Sequence, residues 1–183
     1  MTTAHRTTWK VIYWNIVIAV MLVALGAGLY VRRLHRFDKL IVETGRVYNI
    51  DPRLVSCVIW AESRFDPTRI GTVDEVGLMQ VTEIVARDWA AQAEHEPFNM
   101  RDFFNPELNI RVGTWYLAGA LENWSHLDDP LPYALAEYNA GRSNARRWAK
   151  QGGEKSRDFW EVISYPTTKR YVRDILQRYR GGV

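Results

Sequence analysis

The sequence is poor in the residues that build disulfides, metal centres and sheets. Cys57 is the only cysteine among 183 residues, so no intramolecular disulfide and no thiolate cluster can form. It sits in an apolar helical run, where a small core residue is the plain reading. The four histidines, His5, His35, His95 and His126, show no metal-ligand spacing, and no metal or cofactor is implied. Strand-like alternation is nearly absent, and there is no internal repeat or low-complexity segment. The fold class is therefore all-α, with room for one short β-hairpin between Gly71 and Gly77. Acidic residues are missing altogether from residues 1–33.

What is present is apolar and aromatic. Hydrophobic residues make up 47% of the chain, with eight Trp and nine Tyr, which excludes a disordered chain. The net charge of +3 comes from Arg6, Lys10, Arg32 and Arg33; the remainder has a net charge of −1, and nothing in it suggests a nucleic-acid binder. Residues 142–183 hold 11 Lys or Arg against Glu154, Asp158, Glu161 and Asp174. Such a segment is either a solvated basic face or a contact for anionic wall polymer or lipid headgroups.

Val11–Val31 is interrupted only by Asn15. As a helix it would reach about 32 Å, enough to cross a hydrocarbon core. Trp9, Tyr13 and Trp14 flank one end and Tyr30 the other, as interfacial aromatics do. A cleaved signal peptide competes, because Ala24-Leu-Gly26 offers small residues; the length of the run and the Arg32-Arg33 stop favour a retained anchor. The chain thus divides into an anchor, 1–33, and a domain, 34–183. Positive charges after the span (Arg32, Arg33, Arg36, Lys39) outnumber Arg6 and Lys10 before it. Charge alone would leave the domain in the cytoplasm.

Residues 34–48 have amphipathic helical spacing. Asp51-Pro52 reads as an N-cap and first helical position, opening a helix to about Ser63. Further helices are expected over Gln80–Gln92, from Asn105-Pro106 to about Trp124, over 133–140 with Gly141 as its cap, over Asn144–Lys150, and over Thr168–Arg180 with Tyr171 on the buried side. Asp129-Pro-Leu-Pro132 is expected to be a break.

Glu62 closes the apolar run from Leu54. A carboxyl there is costly to ionise, and the helix C-terminus disfavours its charge further, so its pKa should rise. It can then donate a proton to a leaving oxygen. Taken alone it could equally be a surface Glu at a frayed helix end. Four blocks argue otherwise: Glu62-Ser63-x-Phe65, Gly77-Leu-Met-Gln80, Asn105-Pro-x-x-Asn109-x-x-x-Gly113 and Tyr138-Asn-Ala-Gly141. In order and spacing they resemble the catalytic domain of the family 1 soluble lytic transglycosylases, over roughly residues 34–180.

The resemblance implies a lysozyme-like domain that cuts the β-1,4 bond between N-acetylmuramic acid and N-acetylglucosamine in peptidoglycan. Glu62 would act as acid and then as base toward the C6 hydroxyl of muramic acid, closing a 1,6-anhydro ring. It also implies a single-pass inner-membrane protein with its domain on the outer side, peptidoglycan strands as partner and Val11–Val31 in the membrane. Protein partners are left undefined. Among supporting residues, Gln80 would offer an amide to sugar, Met79 an apolar surface and Gly77 close backbone approach. Tyr138 would bring a phenol to Glu62. Asn139 is either a substrate contact or part of a cap signal. Asn109 would tie helices together or touch sugar, Ser63 would support Glu62 or end its helix, and Gly141 would cap.

The chain departs from the family pattern where Thr82-Glu83 replaces Met-Pro, and where Ser164, Thr167 and Lys169 replace Pro, Glu and Arg. A muramidase remains an alternative, with Asp66, Asp74, Glu75 or Glu83 orienting water. So does a non-catalytic wall-binding scaffold, which would tolerate loss of Glu62.

Overall fold

The structure is a computed structural model, and it describes residues 3–93, 97–152 and 156–181. Contacts divide the chain into two compact units, Met1–Asp38 and Lys39–Val183.

The first unit is essentially one helix, α1 (Thr3–His35). The helical run from Ile12 holds an 18-residue window of mean hydropathy 2.1, none of it buried. Apolar side chains project on all sides, Val23 at 73% and Met21 at 66% exposure among them. A helix that is apolar all round and uncovered by protein matches a lipid environment.

The second unit holds all but the first residue of α2 (Asp38–Tyr48), followed by α3 (Pro52–Ser63). The expected helix over 34–48 starts instead at Asp38, because Arg36 and Phe37 form a turn. Asp51 caps α3 by accepting from the Arg53 N–H, and Pro52 takes a position where no amide donor is needed. No strand occurs among the described residues. The anticipated hairpin reduces to two isolated bridges, Ile70 with Val76 and Val76 with Val81.

Next come α4 (Glu83–Gln92), a 3₁₀ turn η1 (Met100–Phe104) and α5 (Pro106–Asn123). Helix α4 starts three residues later than the spacing suggested. Gln80 takes a left-handed backbone with φ of 49°, and Thr82 caps from outside the helix. The turn η1 went unforeseen, although Asn99 and Asp102 form a reciprocal capping box around it.

The rest is α6 (Leu131–Ala140), α7 (Arg142–Gly152), α8 (Ser156–Val162) and α9 (Pro166–Arg180). The expected break before residue 133 is partly a helix start: Pro130 precedes α6 and Pro132 lies in its first turn, where a missing N–H costs nothing. Helix α8 was not anticipated. Residues 131–137 are all buried, so α6 is the central element, packed by α5, α7, α8 and α9.

Helices α3 and α9 run antiparallel and are tied near both ends. At one end Tyr179 Oη donates to Asp51 Oδ2 (2.9 Å) and Arg53 Nη2 to the Tyr179 carbonyl (2.8 Å). At the other, Tyr171 meets Glu62.

Asn109, fully buried on α5, holds the loop before α4 in place. Its Oδ1 accepts from the Met79 N–H (2.8 Å), and its Nδ2 donates to the carbonyls of Val76 (2.9 Å) and Phe103 (2.7 Å). Asn109→Ala would strand these buried backbone groups, at about 1–3 kcal/mol for each one left unpaired. Chemical denaturation should show a loss of at least about 3 kcal/mol. A loss below about 1 kcal/mol would mean that water or relaxation replaces the asparagine.

Candidate active site

The site grows from the end of α3. The helix stops in two consecutive left-handed residues, Arg64 (φ 56°) and Phe65 (φ 61°), and the Arg64 N–H caps back to the Trp60 carbonyl. This turn leaves Glu62 partly buried on the last helical turn, while Ser63 next to it is almost wholly buried. The Ser63 hydroxyl donates to the carbonyls of Ile59 (3.2 Å) and Leu78 (2.8 Å). It therefore docks the helix end onto the Gly77–Gln80 loop and does not touch the Glu62 carboxylate.

Tyr171 of α9 donates its hydroxyl to Glu62 Oε1 at 2.6 Å. Burial raises the Glu62 pKa to about 7, against the Tyr171 hydrogen bond, which lowers it. Glu75 raises it further and Arg69 lowers it. Two buried phenols that feel the Glu62 charge, Tyr138 and Tyr171, have pKa values pushed well above the ordinary tyrosine value by burial and by Glu62, so both keep their protons and act as donors. The result is a carboxyl group able both to give and to take a proton near neutrality.

The Gly77–Gln80 loop forms a wall beside it. Gly77 has φ of 78°, and a Cβ there would lie 2.3 Å from Asn109 Nδ2. The close approach that requires glycine is thus made by Asn109, a neighbour within the fold. Met79 is fully buried against Gly113 and Thr114, so it offers no surface to a sugar, contrary to expectation. Its carbonyl accepts from Tyr138 Oη (2.9 Å), and this corrects the expected role of Tyr138: the phenol lies near Glu62 but braces the loop instead of bonding the carboxyl. Gln80 spends its Nε2 on the carbonyls of Gly77 (2.9 Å) and Arg69 (3.3 Å). Asn139 Oδ1 accepts from the Thr168 hydroxyl (2.7 Å), linking α6 to α9. Gly141 ends α6 with φ of 83° and donates to the Glu137 carbonyl.

The other acids have separate tasks. Asp66 caps Thr68, and Glu83 pairs with Arg87 along α4. Asp74 is exposed in a left-handed turn. Glu75 accepts from the Val73 N–H (2.8 Å), and its charge raises the Glu62 pKa.

Sequence reasoning missed two residues. The sequence places Tyr171 on the buried side of the last helix, in the block where Ser164, Thr167 and Lys169 depart from the family pattern, but does not show it as a partner of Glu62; eight-residue spacing from Tyr179 marks the face shared with α3. Glu137 is completely buried and accepts from Asn123 Nδ2 (2.9 Å), Trp124 Nε1 (2.8 Å) and Arg142 Nε (2.9 Å). It fastens the ends of α5 and α6 to the start of α7. Its place beside Tyr138 was a signal of position, though not of burial.

Fold and site together define an all-α domain with one protonatable glutamate at a helix end. Residues 39–161 match the family model described as the transglycosylase SLT domain, and the chain belongs to that family. It is 31% identical to membrane-bound lytic murein transglycosylase F of Desulfosudis oleivorans, over 82% of this chain and 33% of that protein. It is 32% identical to membrane-bound lytic murein transglycosylase C of Salmonella arizonae, over 63% of this chain and 34% of that protein. The chain spans about a third of the length of these curated relatives. Among solved structures, the 70 kDa soluble lytic transglycosylase of Escherichia coli superposes with a TM-score of 0.70 at 24% identity, over 79% of this chain and 24% of that one. An inactive variant of lytic transglycosylase Slt from Pseudomonas aeruginosa gives 0.69 at 22%, over 77% and 23%. These two likenesses bear on the fold.

The raised pKa of Glu62 has a consequence for stability. The folded state holds the Glu62 proton more tightly than the unfolded chain does. This contribution is therefore full below the ordinary carboxylate pKa and is lost as pH rises toward 7 and beyond. Glu62→Gln carries no such penalty, so between pH 4 and pH 8 the variant should gain about 3 kcal/mol on the parent protein. Parallel stability curves from denaturant titrations across that range would show that Glu62 is not desolvated.

Proposed function

We propose that the chain is a membrane-anchored lytic transglycosylase acting on peptidoglycan, with Glu62 as its general acid and base. The observation that carries this reading is the single carboxyl at the end of α3, protonated near neutrality by burial and oriented by Tyr171. Held in that form, Glu62 protonates the glycosidic oxygen as the muramic acid C1 becomes oxocarbenium-like. The resulting carboxylate takes the proton of the C6 hydroxyl, and that oxygen bonds to C1. An internal nucleophile has a high effective concentration, and no water is consumed. The Tyr171 hydrogen bond supports the second step, because it favours the ionised carboxyl.

The supporting residues act through the loop. Tyr138, Ser63 and Asn109 set the position of residues 77–80, and the Gln80 carbonyl oxygen is the part of that side chain left for substrate. A hydrolytic outcome would require a carboxylate to hold water. Glu75 is an acid that acts on Glu62, and its own hydrogen bond to Val73 turns it toward its loop, which favours the anhydro route.

Glu62→Gln should keep the fold and lose cleavage by about 10²–10⁴-fold, the usual contribution of general acid–base catalysis. Mass analysis of a peptidoglycan digest should find 1,6-anhydromuropeptides. Mainly hydrated, reducing-end products would assign a muramidase, and full activity of the Gln variant would remove Glu62 from the chemistry.

The exposed apolar helix α1 supports an anchor in the inner membrane with the domain outside, where its substrate lies. In spheroplasts, added protease should degrade residues 39–183 while the protein remains in the membrane fraction before digestion. Protection of that region would reverse the topology.

A further inference from the structure

Trp60, half-buried near the end of α3, carries two guanidinium groups. The Arg64 Cζ lies 3.1 Å from its ring centroid, and the Cζ of Arg178, from α9, lies 3.7 Å from it. Two groups at such distances would overlap on one face of the ring, so they flank it. Arg64 Nη1 also donates to the Trp60 carbonyl (2.8 Å), which fixes one side of the stack. Toward the start of α3, Arg53 lies over the Tyr179 ring at 5.5 Å and donates to the Tyr179 carbonyl (2.8 Å). Arg53, Trp60 and Arg64 fall at helical spacing on one face of α3. Cys57 lies between them; burial raises its pKa, and the charges of Arg178 and Arg53 both act against the rise. The arginines therefore belong to one cluster.

A tie between helices does not account for it. Helices α3 and α9 are already joined near both ends, and Arg64 shares a helix with Trp60, so its charge links nothing. A second guanidinium on one ring adds repulsion between like charges. Among the described residues neither Arg53 nor Arg178 makes an ion pair. The acids along these helices are engaged elsewhere. Asp51 accepts from the Arg53 N–H and from Tyr179 Oη, and Asp174 accepts from Arg173. Stacking occupies the face of a guanidinium and leaves its N–H edge, the part that grips a phosphate.

Two features select a lipid phosphate among anions. Trp and Tyr rings suit the boundary between bilayer and water. The tether is also short: Arg36 and Phe37 alone separate α1 from α2, so His35 and Asp38 are at most about 11 Å apart along the chain. With α1 in a bilayer, headgroup phosphates are the most concentrated anions within reach of the second unit. We propose that the Arg64–Trp60–Arg178 stack, extended by Arg53, is a binding site for the phosphate headgroups of anionic lipid and docks the catalytic unit on the membrane. The proposal rests on the reading of α1 as a membrane anchor.

The test uses the full chain, labelled with fluorotryptophan, in nanodiscs of phosphatidylcholine with or without phosphatidylglycerol. Each disc holds a trace of lipid with a paramagnetic headgroup. The fluorine NMR signals of Trp60 and Trp14 are assigned by their loss in Trp60→Phe and Trp14→Phe. Trp14, on α1, should be broadened in both discs. Trp60 should be broadened in the phosphatidylglycerol discs, and the effect should fade as salt rises. Arg64→Gln with Arg178→Gln should lower the ratio of docked to undocked protein about thirtyfold, at about fivefold for each arginine lost. The signal of fully buried Trp148 should stay in place and report an intact fold. Trp60 broadening that is equal in the two discs, absent from both, indifferent to salt or unchanged in the double variant would overturn the proposal. A Trp60 shift on adding inorganic phosphate or polyglutamate, without broadening that depends on phosphatidylglycerol, would assign a soluble anion and overturn it too. Trp14 left sharp in both discs would overturn the anchor reading, and the docking with it; Trp14 broadened while Trp60 stays sharp would overturn the docking alone.

Discussion

The site depends on the cost of holding one carboxyl group away from water at the end of a helix. Burial alone would make Glu62 a strong holder of its proton and a poor base. The Tyr171 hydrogen bond, at 2.6 Å, works in the opposite direction by stabilising the anion. The balance leaves the group near neutrality, where donation and acceptance are both feasible. Much of the surrounding structure serves to keep that balance. The antiparallel ties between α3 and α9 fix Tyr171 against Glu62. The double left-handed turn at Arg64 and Phe65 stops α3 where the carboxyl is only partly covered.

The loop over residues 77–80 is held just as firmly, from three directions. Asn109 reaches it from α5, Tyr138 from α6 and Ser63 from α3. Each uses a side chain to satisfy a backbone group that regular secondary structure leaves unpaired. Two of these residues, Tyr138 and Ser63, lie in sequence blocks that suggest direct contact with the reacting centre. Their hydrogen-bond partners are backbone carbonyls of that loop, so under the proposed function they would shape the wall against which substrate lies.

The helical class, Glu62 at the end of α3 and the caps at Asp51 and Asn105 were legible in the sequence because they rest on local rules, periodicity and first-turn chemistry. The start of α4 was not, since a left-handed Gln80 is imposed by its hydrogen bonds to the carbonyls of Gly77 and Arg69. Tyr171 was readable as a buried position but not as the partner of a residue 109 positions away. Met79 shows the reverse error. A motif residue looked like binding surface, yet its side chain fills the space that Gly113 leaves in α5. Buried Glu137 was overlooked because a glutamate normally signals solvent, and only the convergence of Asn123, Trp124 and Arg142 makes its burial tolerable.

The central claim is that Glu62 is protonated near neutrality by the fold itself. Its direct test is a carbon-13 NMR titration of the side-chain carboxyl in the full chain, assigned by comparison with Glu62→Gln. A midpoint near 7 is predicted. A midpoint near the ordinary glutamate value of about 4.3 would contradict it, because an already ionised carboxyl cannot serve as the acid.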